Sequence, residues 1–229
     1  FSADITGAAV GRILEIVRQV DPTIRFFQPC TSNMFGKPES TPQTETTPFN
    51  PMSPYACAKV MAYHLTRYYR QAFDMFASTA ILYNHESPRR TEEYVTRKIT
   101  RSVARIVCGK QDKLILGDLS ARVDWGYSRE YMEAAWQMLQ LDGPDDFIIA
   151  TGEAHSVQEF VKEAFAVVNL SPDEYVVSSK DLFRPTKTGE LVGDITKART
   201  SFGFDPQVKF KELVKLMVEA DLEAEKQTA

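Results

Sequence analysis

The stretch IRFFQPC at residues 24–30, followed by PYACAKVMAYHLTRYYRQAF at 54–73 and MFASTAILY at 75–83, decides the fold. The outer two pieces are short apolar runs and read as buried strands. The middle piece has no glycine and no proline beyond its first residue. It follows Ser53, whose hydroxyl can cap a helix, with Pro54 in the first turn. Strand, helix and strand in that order predict a parallel pair joined by a crossover.

The pattern extends in both directions. Residues 8–20 read as a helix with Val10, Ile13, Leu14, Ile16 and Val17 mostly on one face, ended by Asp21-Pro22. Downstream the spacing predicts helices over 96–108, 129–141, 156–168 and 210–223. Strands are expected at 114–116 and 147–150, with an extended piece near 175–178. A loop rich in Thr, Pro and Glu fills 37–50, and Trp125 and Trp136 read as core or helix-interface residues. Helices alternating with strands predict an α/β fold around a parallel sheet.

Composition narrows the function. A net charge of −4 over 229 residues, without long runs of one sign, argues against a nucleic-acid-binding surface. Cys30, Cys57 and Cys108 are odd in number and far apart, which fits a reducing compartment and predicts a cytoplasmic protein. Their spacing matches no zinc motif, and His64, His85 and His155 are equally dispersed. No apolar run is long enough to predict a membrane span, and no signal peptide is visible. The chain starts without methionine inside what reads as a helix, so it is expected to be part of a longer protein.

Tyr55 and Lys59 carry the chemistry. Four residues apart on one helix, they share a face, and a nearby ammonium favours a phenolate. That makes the pair suited to taking a proton from a substrate hydroxyl while hydride leaves to a cofactor. The spacing alone is close to chance: 9 Tyr and 13 Lys in 229 residues predict about half a pair, and Tyr94 with Lys98 is a second. Context favours Tyr55. The strand ending at Cys30 runs into Thr31-Ser32, and ligands of parallel sheets bind beyond the carboxyl ends of strands. Thr31 can then hydrogen-bond the same substrate hydroxyl. Arg89 and Arg90 are either a phosphate contact or a solvated pair, and Cys30 reads as a small buried strand-end residue.

With these pieces, FFQPCTSNMFGK, ETTPFNPMSPYACAK, ILYNHESPRR, YVTRKIT, DWGYSREYMEAAWQMLQ, DFIIATGEAHSVQEFV and LVGDITKAR, the chain resembles the GDP-mannose 4,6-dehydratase family of extended short-chain dehydrogenase/reductases. The resemblance implies a Rossmann-like, doubly wound NADP-binding domain with a smaller substrate-binding subdomain. The expected division is 1–83 and 84–229, with segments around 124–150 returning to the first. It also implies an internal redox cycle on a GDP-sugar: oxidation at C4, loss of water across C5 and C6, and return of the hydride to C6. Carried over by position, Thr31, Tyr55 and Lys59 match catalytic positions. Asn84 and His85 match the stretch near the nicotinamide and substrate phosphates, Lys98 a substrate contact, and Arg184 an arginine near the nucleotide. A homodimer or homotetramer is implied, with helices such as 54–73 packing across subunits.

Three departures stand out. The family's catalytic glutamate is Asn33 here, and an amide cannot accept a proton at neutral pH. The family's Arg-Asp-Trp-Gly reads Val123-Asp124-Trp125-Gly126, leaving Arg122 as the candidate replacement, and a glutamate after Arg184-Pro185 is Lys187. The glycine-rich phosphate loop is also missing from these 229 residues and is expected to lie outside them. Against a dehydratase stand two rivals: an epimerase or reductase of the same class, and a homologue without elimination chemistry.

Overall fold

A computed structural model describes residues 1–182 and 189–227. The strand–helix–strand unit forms as the sequence predicts. Strand β1 (Phe26–Thr31) leads through helix α2 (Pro54–Phe73) to β2 (Ala77–Leu82), and the strands pair in parallel from Phe26↔Ala77 to Thr31↔Leu82. The Ser53 hydroxyl accepts the Ala56 N–H at 3.1 Å at the start of α2, a cap worth about 1 kcal/mol. Asp74 ends that helix in the left-handed conformation. A third parallel strand, β7 (Asp146–Ile149), joins β2 to give the order β1-β2-β7.

Helix α1 (Ala9–Val20) packs on α2, but its apolar residues divide between two environments. Val10 and Leu14 are buried with Ala62, Met75 and Ala77, whereas Ile13 and Ile16 face outward, Ile16 at 60% exposure. A helix resting on a single neighbouring helix buries only a narrow i, i+4 strip, so the broad stripe read from the sequence cannot all go inward. Trp125 is buried as expected, whereas Trp136 on α4 (Ser128–Met138) is 65% exposed and is not a core residue here.

Besides the three-stranded sheet the chain builds three small pairings, two of which the sequence did not announce. Strand β3 (Asn84–Glu86) pairs in parallel with β6 (Trp125–Tyr127), and β5 (Arg122–Val123) pairs antiparallel with β8 (His155–Ser156). Strand β4 (Leu114–Leu116), which was expected, pairs in parallel with β9 (Val176–Ser178). The four strands of the first two pairings, two or three residues each, carry too little periodicity to be read. The short helix α6 (Thr196–Phe202), ended by the positive-φ Gly203, was missed for the same reason.

Two larger cores result. One surrounds the three-stranded sheet and takes in Tyr131, Met138, Ile195 and Phe204. The other lies among α3 (Val95–Val107), α5 (Val157–Val167) and α7 (Phe210–Gln227), with Ile99, Trp125, Phe160 and Met217 fully or nearly buried. A buried ion pair fastens the second. The Arg97 guanidinium donates to both carboxylate oxygens of fully buried Asp221 on α7, and the Thr100 hydroxyl adds a third donor at 2.7 Å. Removing one partner strands a buried charge, so Asp221→Ala should lower unfolding stability by about 3–5 kcal/mol. Urea denaturation of the variant checks this, and a loss below about 1 kcal/mol would contradict the role given to the pair.

Candidate active site

The parallel register brings three strand ends to one edge of the sheet. Thr31, Leu82 and Ile149 lie side by side, so the segments that follow each strand leave from a single edge. Such an edge is where ligands of open α/β sheets bind.

Thr31 and Tyr55 meet there. Burial pushes the Tyr55 phenol above its ordinary value, and the nearby Thr31 side chain, which favours the phenolate, offsets this only in part. The nearby Cys30 and Tyr94 push it up as well, while Arg90 pulls slightly the other way. Lys59 lies one turn on, with its ammonium 5.8 Å from the centre of the Tyr55 ring. It is not turned to the phenol oxygen. Its Nζ donates to the Pro29 carbonyl at 2.6 Å, and burial lowers its pKa. The expected depression of the tyrosine pKa by Lys59 is therefore not present in this arrangement, because the strand carbonyl takes the ammonium.

Beside this group lies a cleft of about 110 Å³ lined by Ser32, Asn33, Asn84, Arg122, Asp124 and Leu191, among others. It is smaller than a typical small-molecule site, so it can receive one part of a ligand rather than a whole sugar nucleotide. Asn33 belongs to a single helical turn (Ser32–Met34), whose first donor, the Asn33 N–H, is capped by the Thr31 hydroxyl at 3.3 Å. Asn84 is exposed at the start of β3. Next to it His85 is partly buried, with Nδ1 against the Tyr83 carbonyl at 2.9 Å and its ring 5.2 Å from that of Tyr131. Burial lowers the His85 pKa, which keeps the ring neutral at physiological pH. A second, larger cleft of about 420 Å³ beside α2 is lined by Phe49, Tyr63, His64 and Arg67, and none of the expected site residues lines it.

Other expected residues are placed differently. Arg90 lies 3.4 Å over the Tyr94 ring and reaches the buried Glu86 carboxylate at 3.3 Å. Tyr94 thus stands against Arg90 and within electrostatic reach of Tyr55. Lys98 lies on α3 and does not line the cleft. Arg184 and Lys187 lie outside the described residues.

The comparisons with known proteins bear on the family and the fold. The sequence profile of the family described as GDP-mannose 4,6 dehydratase matches residues 2–217. GDP-mannose 4,6 dehydratase 2 of Arabidopsis thaliana is 46% identical over 99% of this chain, which covers 61% of that relative. The chain belongs to the GDP-mannose 4,6-dehydratase family. The human GDP-mannose 4,6 dehydratase is 43% identical over 97% of the chain, which covers 65% of it. The chain therefore spans about three fifths to two thirds of the length of these relatives. Among solved structures, RMD from Pseudomonas aeruginosa complexed with NADPH superposes with a TM-score of 0.89 at 16% identity, covering 97% of this chain and 74% of that one. The dTDP-glucose 4,6-dehydratase from Bacillus anthracis in complex with NAD superposes at 0.85 with 19% identity, covering 98% and 70%. At these identities the likeness concerns the fold, and it confirms the Rossmann-type α/β architecture.

In this member of the GDP-mannose 4,6-dehydratase family, two residues that frame the site went unread in the sequence. Buried Asp124 accepts the Thr151 hydroxyl at 2.6 Å and the N–H groups of Thr151 and Gly152 at 2.9 and 3.0 Å. Asp124 thereby ties the segment after β7 to the connection between β5 and β6, and the Gly193 N–H lies near enough to favour its carboxylate. Gln43 does the same from the loop after β1. Its Oε1 accepts the Tyr83 hydroxyl at 2.8 Å and the Val192 N–H at 3.0 Å, and its Nε2 donates to the Ser40 carbonyl at 2.9 Å. Gly193 has to be glycine because a Cβ there would lie 2.5 Å from that of Ala150 and 2.7 Å from Ile148. A glutamine in a polar loop gives no sequence signal of burial.

Proposed function

We propose that the complete protein oxidises a GDP-linked hexose, with GDP-mannose the leading candidate, at C4 of the sugar using NADP, the opening step of the dehydratase named for its relatives. The observation that carries this is the closeness of the Thr31 side chain, at the end of β1, to the Tyr55 phenol, with Lys59 one turn along the same helix. Tyr55 accepts the C4 hydroxyl proton, and Thr31 orients that hydroxyl. Because burial raises the Tyr55 pKa, its basic form is scarce at neutral pH and grows as pH rises, so oxidation should quicken toward alkaline pH. The residues present fit the nicotinamide end of a dinucleotide, with the Lys59 ammonium and the exposed Asn84 amide near the carboxyl edge of the sheet. Bound there, NADP supplies the hydride acceptor.

The elimination step is read differently. Asn33 offers no base, and among the described residues lining the cleft Asp124 is the one carboxylate. Both its oxygens are already bonded to the backbone around Thr151. This favours redox at C4 without dehydration, as in a reductase or epimerase of the same class. GDP-mannose deuterated at C4 tests the first step. Its label should be transferred when the complete protein and NADP are both present, and a label retained under those conditions sinks the proposal.

The partner is read as a second copy of the chain. Ile13, Ile16 and Val20 on α1 and Met61 and Tyr68 on the adjoining α2 are exposed, a surface suited to an isologous helix–helix interface. Ile16→Asp should convert the dimer to monomer in light scattering, and an unchanged mass would reject this surface. Free Cys30, Cys57 and Cys108 support a cytoplasmic setting, and among the described residues no helix is long and apolar enough to cross a membrane.

A further inference from the structure

We infer that Glu190 is the charge gate of the cleft: its carboxylate occupies Arg122 until the phosphate of a ligand displaces it. The inference rests on the sugar-nucleotide reading above and concerns how the site admits the charged part of that ligand. Arg122 lines the cleft, yet each of its three nitrogens faces a protein oxygen. Nε donates to Glu190 Oε1 at 2.9 Å, Nη2 to the Ala154 carbonyl at 2.5 Å, and Nη1 lies 3.7 Å from Glu159 Oε2. An incoming anion therefore meets a guanidinium already neutralised by two carboxylates.

The two carboxylates differ in freedom. Glu159 is fixed by the capping box of α5, where its Oε2 accepts the Ser156 N–H at 2.6 Å while its own N–H is held by the Ser156 hydroxyl. The Glu190 carboxylate has no bond among the described residues other than to Arg122. Its backbone, by contrast, is held: the Glu190 carbonyl accepts the Thr41 hydroxyl at 3.2 Å and the Gln43 amide at 3.3 Å. Gly189, next to it, donates to the Gly36 carbonyl at 2.9 Å. Opening is thus a side-chain rotation with the strand of backbone left in place. The Arg122 and Glu190 side chains are 48% and 46% exposed, so solvent screens their pairing and the contact yields readily. A phosphate brings more charge and matches the guanidinium fork, which lets it win where a neutral hydroxyl would not.

Titration calorimetry of the complete protein tests the gate, with GDP and guanosine as probes. Glu190→Gln removes the competing charge and should tighten GDP binding by about threefold to tenfold, with guanosine affinity unchanged. Glu133→Gln, which removes an exposed carboxylate paired with Arg129 on α4, should change neither and controls for net charge. If Glu190 serves only to hold the segment in place, Glu190→Gln weakens GDP and guanosine alike, and the gate is overturned. Unchanged GDP affinity overturns it as well. A wild-type protein that binds neither probe overturns the sugar-nucleotide reading itself, and the gate with it.

Discussion

Tyr55→Phe should lower C4 oxidation by about 10²- to 10⁴-fold while leaving the protein folded, because it removes the proton acceptor and little else. Tyr55 is partly exposed at the first turn of α2, so losing its hydroxyl opens no cavity. What it forfeits is the approach of the phenol to the Thr31 side chain. Transfer of deuterium from C4-labelled GDP-mannose gives the rate, and circular dichroism reports the fold. Tyr94→Phe is the internal comparison. The Tyr94 ring, not its hydroxyl, supports Arg90, so that variant should lose little. A Tyr55→Phe protein that still oxidises at more than about a tenth of the wild-type rate would remove Tyr55 from the chemistry.

Asn33→Glu should produce the opposite effect on the later step, raising formation of the 4-keto-6-deoxy sugar by about 10²- to 10⁴-fold. Position 33 lines the cleft beside Asn84 and next to the Thr31 hydroxyl, so a carboxylate there stands where the substrate's sugar would be presented. The replacement adds one methylene at a partly exposed site, which the open cleft accommodates. Product analysis by NMR separates oxidation from elimination. If the variant oxidises C4 as before and yields no deoxy sugar, the account of Asn33 as the missing base is wrong.

How much of this was legible depends on length scale. Helix α2 was read at its observed bounds because Ser53, Pro54 and a long stretch of helix-compatible residues are local signals. The parallel order of β1 and β2 followed from that helix lying between them. The candidate catalytic residues were legible for a similar reason: Tyr55 and Lys59 are four residues apart, and Thr31 ends a readable strand. The direction of the Lys59 side chain was not. It depends on the Pro29 carbonyl, which lies 30 residues away in sequence and is reached only when α2 packs on β1.

By itself, then, the sequence determined the α/β alternation, the α2 scaffold and the family, since each rests on local pattern or on strings of consecutive residues. Only the tertiary structure decided what surrounds the site. Asp124 meets Thr151 across 27 positions, Gln43 meets Val192 across 149, and Arg122 meets Glu190 across 68. Such contacts leave no periodicity behind, because a buried carboxylate or amide is placed by chain closure and by the need to satisfy its hydrogen bonds rather than by its neighbours in sequence.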